Sequence, residues 1–301
     1  MRRKSTIQKT ASDRVFDVVV ALLVALILIF TLYPLIYVFS MSISDPIRAA
    51  RGEVYLLPKG FDLTSMKKVL SDPDVLMYYG NTLYYTVVGT LLGIIVTALA
   101  AYPLSRPEFA YRKFFVKFIM LTMFFSGGFI PTYIIVTKDL HLYNSRWAII
   151  LLPLANAWYM MVAKSFFESL PGEIVESARI DGASEWRIFL QLILPVSKPI
   201  LAVLTLYYAV GHWNSYFQAM LYLGKKELQP LAIHIQRVVV QNSVTSYSGV
   251  AVAGQISAEE LLAALQIKYS VVVVAVLPML LIYPFLSKYL EKGLLVGAIK
   301  G

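Results

Sequence analysis

Six long apolar stretches free of Asp, Glu, Lys and Arg divide the chain. They lie at 18–44, 75–105, 118–137, 147–163, 199–224 and 269–287, and each contains an apolar run near the length that crosses a hydrocarbon core of about 30 Å. A seventh such stretch, 238–258, is rich in Gln, Asn, Ser, Thr and Gly and is not predicted to be a span. The pattern predicts an all-α integral membrane protein, a single domain over 1–301, with spans near 16–41, 79–104, 114–136, 147–166, 196–221 and 269–287.

Six transmembrane helices place both termini on one side of the membrane. With the N-terminus inside, 16 of the 27 Lys and Arg residues fall on cytoplasmic segments. This asymmetry predicts cytoplasmic termini, a cytoplasmic segment at 170–194 and a long extracytoplasmic loop at 225–268. That loop either contacts something outside or only caps the helices. The first apolar run is too long for a signal peptide and is expected to be retained.

Composition excludes several classes of protein. With 58% hydrophobic residues, 15% charged residues and a mean hydropathy of +0.67, the chain is too apolar for an ordinary soluble domain. The net charge of +9 does not indicate nucleic acid, because the basic residues cluster at the ends of apolar spans. The sequence has no cysteine, phosphate-binding loop or hydrolase motif, and its three histidines lack paired-ligand spacing. We therefore predict no catalytic residue, no metal site and no cofactor bound by this chain.

The segment 170–194 is charged and capped, unlike a simple connector between spans. Pro171 and Gly172 punctuate the end of one span, and Glu173 places negative charge in the first turn of a helix. Gly182 stops that helix, and Ser184 can cap a second one. The apolar side chains of this helix–turn–helix either lie on the protein's own spans and on lipid or form a docking surface for a soluble partner.

The spacing within this segment resembles the cytoplasmic loop of ABC importer permeases. Here Glu176-Ser177-Ala178 is followed after three residues by Gly182, and after nine more by Leu192-Ile193-Leu194-Pro195. The family pattern has Ala and Ile where this chain has Ser177 and Leu192, and both changes keep approximate size. The resemblance implies a coupling helix that sits in a cleft of an ATPase subunit. The implied coupling residues are Glu176, Ser177, Ala178, Arg179, Asp181, Gly182, Ala183 and Glu185, with Arg179 and Glu185 available for charged contacts.

The spans hold neutral polar and aromatic side chains but no acidic residue, which disfavours an ion-coupled carrier. The fifth span carries the predicted substrate-pathway residues Tyr208, His212, Trp213, Asn214, Tyr216 and Gln218. Such groups suit a sugar, which offers hydroxyls and stacking faces. In the alternative interpretation, Trp213 and Tyr216 belong to the interfacial aromatic belt while Asn214 and Gln218 pack between helices. Residues 126–128, followed by Pro131, are predicted to break the third span.

A wider resemblance points to carbohydrate ABC importer permeases, type I and maltose-transporter-like. It rests on Asn81-Thr82-Leu83, Phe124-Phe125-Ser126-Gly127-Gly128, Gly211-His212-Trp213-Asn214 and the tail 292–301. Within that family the chain is similar to the branch that takes up complex oligosaccharides, including uronate-containing ones.

The resemblance implies a permease subunit in the cell membrane that is not itself an enzyme and works by alternating access. Its implied partners are a second homologous permease, two ATPase subunits that bind ATP and Mg, an extracytoplasmic solute-binding protein and membrane lipid, with no nucleic acid. A type I permease for a non-sugar solute and a membrane enzyme or scaffold without a transport role stay open as alternatives.

Overall fold

A computed structural model describes residues 10–247, 266–282 and 284 of the chain. These residues form helices and no extended strand, apart from one isolated antiparallel bridge between Ser44 and Phe61. The chain divides into two compact units, one of residues 1–70 and 241–274 and the other of 71–240 and 275–301. The predicted all-α character is confirmed for the described residues.

The first unit is dominated by α1, Ala11–Ser42. A capping box starts this helix, because the Thr10 hydroxyl accepts from the backbone N–H of Asp13 while the Asp13 carboxylate accepts from that of Thr10. The most apolar 18-residue window of Ser12–Ser42 has a mean hydropathy of 3.0 and is 0% buried. The helix therefore has the length and the outward apolar surface of a membrane span. Predicted span 16–41 lies within it.

The second unit is organised around α4, Pro73–Ser105, whose first turn is capped by Asp72. The most apolar 18-residue window of this helix has a mean hydropathy of 2.1 and is 44% buried. The helix contains predicted span 79–104. It packs against α12, Lys198–Trp213, and α8, Ala157–Glu168. A helix that is apolar on all sides and half-covered by neighbours is typical of a membrane bundle.

Two further candidate spans are bent helix pairs. Helix α5, Arg112–Phe124, is followed after a four-residue break by Phe129–Asp139 at an angle of 109°, where α6, Phe129–Ile134, continues as the π-helical turn Ile135–Asp139. The break contains Gly128 at φ +85°, so the predicted interruption of the third span is confirmed. The second pair, Glu185–Val196 and Lys198–Trp213, bends by 79° at residue 197. Among the described residues, two helices can cross a membrane by length and composition, or four if each bent pair is one span.

The remaining predicted spans are also divided. Span 147–166 corresponds to α7, Arg146–Leu151, and α8, while span 196–221 covers α12 and α13, Tyr216–Tyr222. Shorter helices are α2, Pro46–Ala50, and α3, Thr64–Ser71. After the 3₁₀ turn Lys226–Leu228 come α14, Leu231–Tyr247, and α15, Gln266–Ile282, which overlaps predicted span 269–287. Residues 248–265 of the long loop and the tail 292–301 lie outside the described residues.

The main core of the second unit lies where α4, α8 and α12 meet the segment after α8. Its members are apolar, aromatic or small residues with little exposure, including Ala101, Ala163, Phe167, Ile188, Ile193 and Leu204. Small residues let the helix backbones approach closely, as helix packing in lipid requires. This core reaches into the 170–194 segment and fixes it against the helices.

Candidate functional site

The segment 170–194 folds as a helix, a glycine turn and a second helix. Helix α9, Gly172–Ile180, ends before Gly182, whose φ of +75° favours glycine. The Ser184 hydroxyl then accepts from the backbone N–H of Arg187 and caps α10, Glu185–Ile188. A π-helical turn, Phe189–Ile193, and a short α11, Leu194–Val196, complete the segment. The helix–turn–helix predicted from sequence is confirmed.

The apolar side chains of this segment divide between two surfaces. Val175, Ala178 and Phe189 are buried in the main core, so part of the segment lies on the protein's own helices. Ile180 and Trp186 point outward, with 86% and 64% of their surfaces exposed. Large apolar side chains this exposed, rimmed by charges, are typical of an interaction surface. The interpretation that the segment lies on the protein's own helices is confirmed for its inner face, whereas the docking surface stays a prediction for the outer face.

The predicted coupling residues differ in how much of their surface is exposed. Ala178 is buried, and Arg179 and Ala183 are half-buried. The others are exposed: Glu176, Ser177, Asp181, Gly182 and Glu185.

The charged side chains Arg179 and Glu185 are bonded within the chain. Arg179 donates from Nε to Glu185 at 2.9 Å and from Nη1 to Glu108 at 3.0 Å. A hydrogen bond from its own backbone N–H and then that from Arg179 hold the pKa of Glu108 below its usual value. The same carboxylates, Glu108 foremost, raise the pKa of Arg179. The sequence did not indicate Glu108, because it lies 71 positions from Arg179 and only the fold brings the two side chains together.

A cavity of about 440 Å³ opens beside these ion pairs. Its lining includes the ion-paired side chains Glu108, Arg179 and Glu185 together with Leu99, Tyr102, Arg106, Phe109 and Trp186. The Arg106 guanidinium lies 4.9 Å from the centre of the Tyr102 ring, a cation–π contact. The cavity therefore lies between the end of α4 and the 170–194 segment.

The first two fifth-span candidates are buried against α4. The Tyr208 hydroxyl lies 2.7 Å from that of Thr97 and donates to the backbone carbonyl of Leu154 at 3.1 Å. His212, one turn further along α12, is 2% exposed and covers Gly89. Both side chains are held by packing in this chain, and they contact one face of one helix.

The remaining four candidates do not join them in one pocket. Trp213 is buried, and its indole N–H donates to the backbone carbonyl of Ala275 at 3.2 Å. Asn214, just after α12, is exposed and donates to the Val210 carbonyl of that helix. Tyr216 and Gln218 are half-buried on α13. The six residues therefore follow two consecutive helices rather than forming one closed site.

Polar residues at the start of α4 bind the loop that follows α13. The Asn81 side chain donates to the backbone carbonyl of Glu227 at 2.7 Å and to that of Gln229 at 3.1 Å. The Tyr85 hydroxyl donates to the carbonyl of Leu228 at 2.7 Å. In the structure they satisfy backbone carbonyls that would otherwise be unpaired.

Comparisons with known proteins agree on one family. The family described as "Binding-protein-dependent transport system inner membrane component" matches residues 89–296. The chain is 37% identical over 296 residues to Protein LplC of Bacillus subtilis (strain 168), covering 98% of both chains. It is 33% identical over 290 residues to the polygalacturonan/rhamnogalacturonan transport system permease protein YtcP of the same organism, covering 96% of this chain and 99% of the relative.

A solved structure gives the same result for the fold. The chain matches a chain of a bacterial ABC transporter involved in the import of the acidic polysaccharide alginate, at a TM-score of 0.81 and 34% identity. The match covers 93% of this chain and 98% of the other. The chain therefore belongs to the binding-protein-dependent transport system inner membrane components, a family of ABC transporter permease subunits of the cell membrane rather than of enzymes.

Proposed function

We propose that this chain is a transmembrane permease subunit of an ATP-driven type I importer. In this proposal an extracytoplasmic solute-binding protein delivers an oligosaccharide, and the permease passes it inward by alternating access. The observation that carries the proposal is the 170–194 segment, which is anchored to the core by Val175, Ala178 and Phe189 while it presents Ile180 and Trp186 outward. Such a segment is suited to move with a docked ATPase and to pull on the helices beneath it.

The substrate class we propose is acidic oligosaccharides. YtcP is named for polygalacturonan and rhamnogalacturonan, and the solved transporter imports alginate, an acidic polysaccharide. These two proteins are 33% and 34% identical to this chain over nearly its whole length. The chain's neutral hydrogen-bonding groups on α12 and α13 are compatible with sugar hydroxyls. A transporter that responds only to a non-sugar solute would overturn this assignment.

The broken third span supports a second permease subunit as partner. Residues 125–128 are exposed in this chain, and α5 before them has no buried residue. Backbone polar groups freed by a break at membrane depth are tolerated only where protein or water covers them. A homologous permease packed on this face would cover the break. Two ATPase subunits, which bind ATP and Mg, complete the proposed complex on the 170–194 side.

Co-expression tests this assignment. The chain should be purified with the permease, ATPase and binding protein encoded near it, and ATP hydrolysis measured in liposomes with oligogalacturonates, alginate oligomers, maltodextrins and peptides. We expect the loaded binding protein to stimulate hydrolysis with a uronate oligomer. Stimulation only by peptides or another non-sugar would retain the permease and overturn the carbohydrate. An intact complex that responds to no solute would overturn the importer.

A further inference from the structure

Three separate elements of the second unit meet at the carboxylate of Glu185. One oxygen accepts from Arg179 on α9 at 2.9 Å, and the other accepts from the Tyr102 hydroxyl at the end of α4 at 3.0 Å. Arg179 also donates to Glu108, just beyond α4, at 3.0 Å. Hydrogen bonds with a charged partner are roughly twice as strong as neutral ones and have a fixed direction. Glu185 thus links both helices of the 170–194 segment to α4.

Aromatic packing holds the Tyr102 end of this connection in place. Tyr102 is 8% exposed, and its ring centre lies 4.9 Å from that of Phe189 and 6.5 Å from that of Phe167. The Tyr102 ring is therefore packed between Phe167 of α8 and Phe189 of the 170–194 segment. Apolar contacts alone resist separation but allow sliding, because they have no preferred direction. The Glu185 bond adds the direction that the packing lacks.

Helix α4 can carry a displacement from this end to the rest of the unit. It runs without a break from Pro73 to Ser105, and its one internal proline, Pro103, lies beyond Tyr102. From Tyr102 back to Asn81 the helix is about 30 Å long at 1.5 Å per residue. Along that length it contacts Tyr208 and His212 of α12, and Asn81 then holds the loop after α13. Tyr208 and His212 are two of the substrate-pathway residues predicted from the sequence.

We propose that Glu185 is a positioning residue that joins the ATPase-docking segment to α4 through Arg179 and Tyr102. The inference rests on the proposed function and names the contact through which movement of the 170–194 segment is transmitted to α4. Sequence reasoning had kept Arg179 and Glu185 for contacts with the ATPase, whereas the structure pairs both inside the chain. When the docked segment moves, Glu185 moves Tyr102 with it, and α4 follows as one piece.

Tyr102→Phe is the sharpest test, because it removes the hydroxyl bonded to Glu185 and keeps the ring that packs on Phe189. Tyr111→Phe is the matched control, since it deletes the same atom from a ring that is 68% exposed. Both variants should be studied in the full reconstituted complex. The readouts are the amount of co-purifying ATPase, the rate of ATP hydrolysis and the oligosaccharide transported per ATP hydrolysed.

We expect Tyr102→Phe to assemble like the wild type and to transport about three- to tenfold less sugar per ATP. That range corresponds to the net contribution of one ordinary hydrogen bond, because the Glu185 side chain is 55% exposed and its charge is screened by solvent. Tyr111→Phe should keep the wild-type ratio. Glu185→Gln should also lower the ratio. The Tyr102→Phe/Glu185→Gln double variant should be no worse than the lower single variant, because both changes remove one interaction.

Two results would overturn the joint, by which we mean the proposed connection of the 170–194 segment to α4 through Glu185. One is an unchanged transport ratio in Tyr102→Phe, and the other is a lower ratio that appears only together with loss of the ATPase from the complex. The second result would assign Tyr102 a role in assembly. A wild-type complex that transports no oligosaccharide overturns the proposed function itself, and the joint falls with it. A transporting wild type with an unaffected Tyr102→Phe variant overturns the joint alone.

Discussion

Gly89 of α4 is where a single added methyl group should most disturb the helix bundle. A Cβ atom there would lie 2.3 Å from Nε2, 2.4 Å from Cε1 and 2.7 Å from Cδ2 of the His212 ring. Contacts under 3.0 Å are essentially never seen for real Cβ atoms, so either α12 or the ring must shift. His212 is 2% exposed and has no room to swing outward. Gly89→Ala therefore forces the two helices apart.

The size of the effect follows from two opposing contributions. Ordinary contact begins at 3.4 Å, so the Nε2 atom must retreat by about 1.1 Å from its 2.3 Å position. Overpacking of this kind costs about 1–3 kcal/mol. Alanine regains up to about 1 kcal/mol over glycine inside a helix. At the middle of the overpacking range the balance is a loss of about 1 kcal/mol, or roughly 1.5–2 °C in the thermal midpoint for a chain of 301 residues.

The assay is thermal unfolding of the purified complex in detergent, with Gly80→Ala as the control. Gly80 lies on the same helix, and a Cβ there would meet nothing within 4 Å. Its replacement should leave the midpoint unchanged or raise it slightly. His212→Ala combined with Gly89→Ala should recover part of the loss, because the clashing ring is gone. Equal midpoints for Gly89→Ala and Gly80→Ala would refute the close contact between α4 and α12.

Three further predictions concern other parts of the second unit. Gly182→Ala should cost about 1–2 kcal/mol from its φ of +75° and lower transport per ATP, whereas Gly172→Ala should be neutral; equal effects in uptake assays would refute the turn. Tyr85→Phe should lower the thermal midpoint by leaving a loop carbonyl unpaired, at about 0.5–1.5 kcal/mol, and Tyr84→Phe should not; no difference would contradict the bond. The lowered pKa of Glu108 means that its contribution is present above the ordinary value of 4.5 and is lost on acidification, so the midpoints of wild type and Glu108→Gln should converge below pH 4.5. A difference that grows in acid would contradict this sign.

Local chain chemistry accounts for what the sequence predicted well. Gly182 and Ser184 determine where α9 stops and α10 starts, because a left-handed turn favours glycine and an N-cap favours serine. The paired glycines before Pro131 likewise mark the break after α5. Such signals act within a few residues of one another. They are therefore readable without the fold.

Hydropathy was less informative about the interior of the spans. The stretch 147–166 reads as one apolar run, yet Asn156 caps a new helix inside it by accepting from the backbone N–H of Tyr159. The stretch 196–221 is similarly divided between α12 and α13. Hydropathy averages over a window and does not report where backbone hydrogen bonds stop. The number of spans and the side of the termini stay predictions.

Contacts between distant segments were beyond the sequence alone. The Tyr102–Glu185 bond joins residues 83 positions apart, and Asn81 reaches a carbonyl 146 positions away. No local sequence pattern predicts such a pair, because the residues around each partner carry no information about the other. Arg179 and Glu185 were therefore expected to face an ATPase, and their pairing inside the chain emerged only from the fold.

Direct uptake tests the central claim, that this permease passes acidic oligosaccharides inward at the expense of ATP. Proteoliposomes holding the full complex, with ATP enclosed on the 170–194 side, should be supplied with binding protein and either a labelled uronate oligomer or a neutral oligosaccharide of the same length. The account predicts ATP-dependent accumulation of the uronate oligomer well above the neutral one. Equal accumulation of both, or accumulation of neither while another solute is taken up, would contradict it.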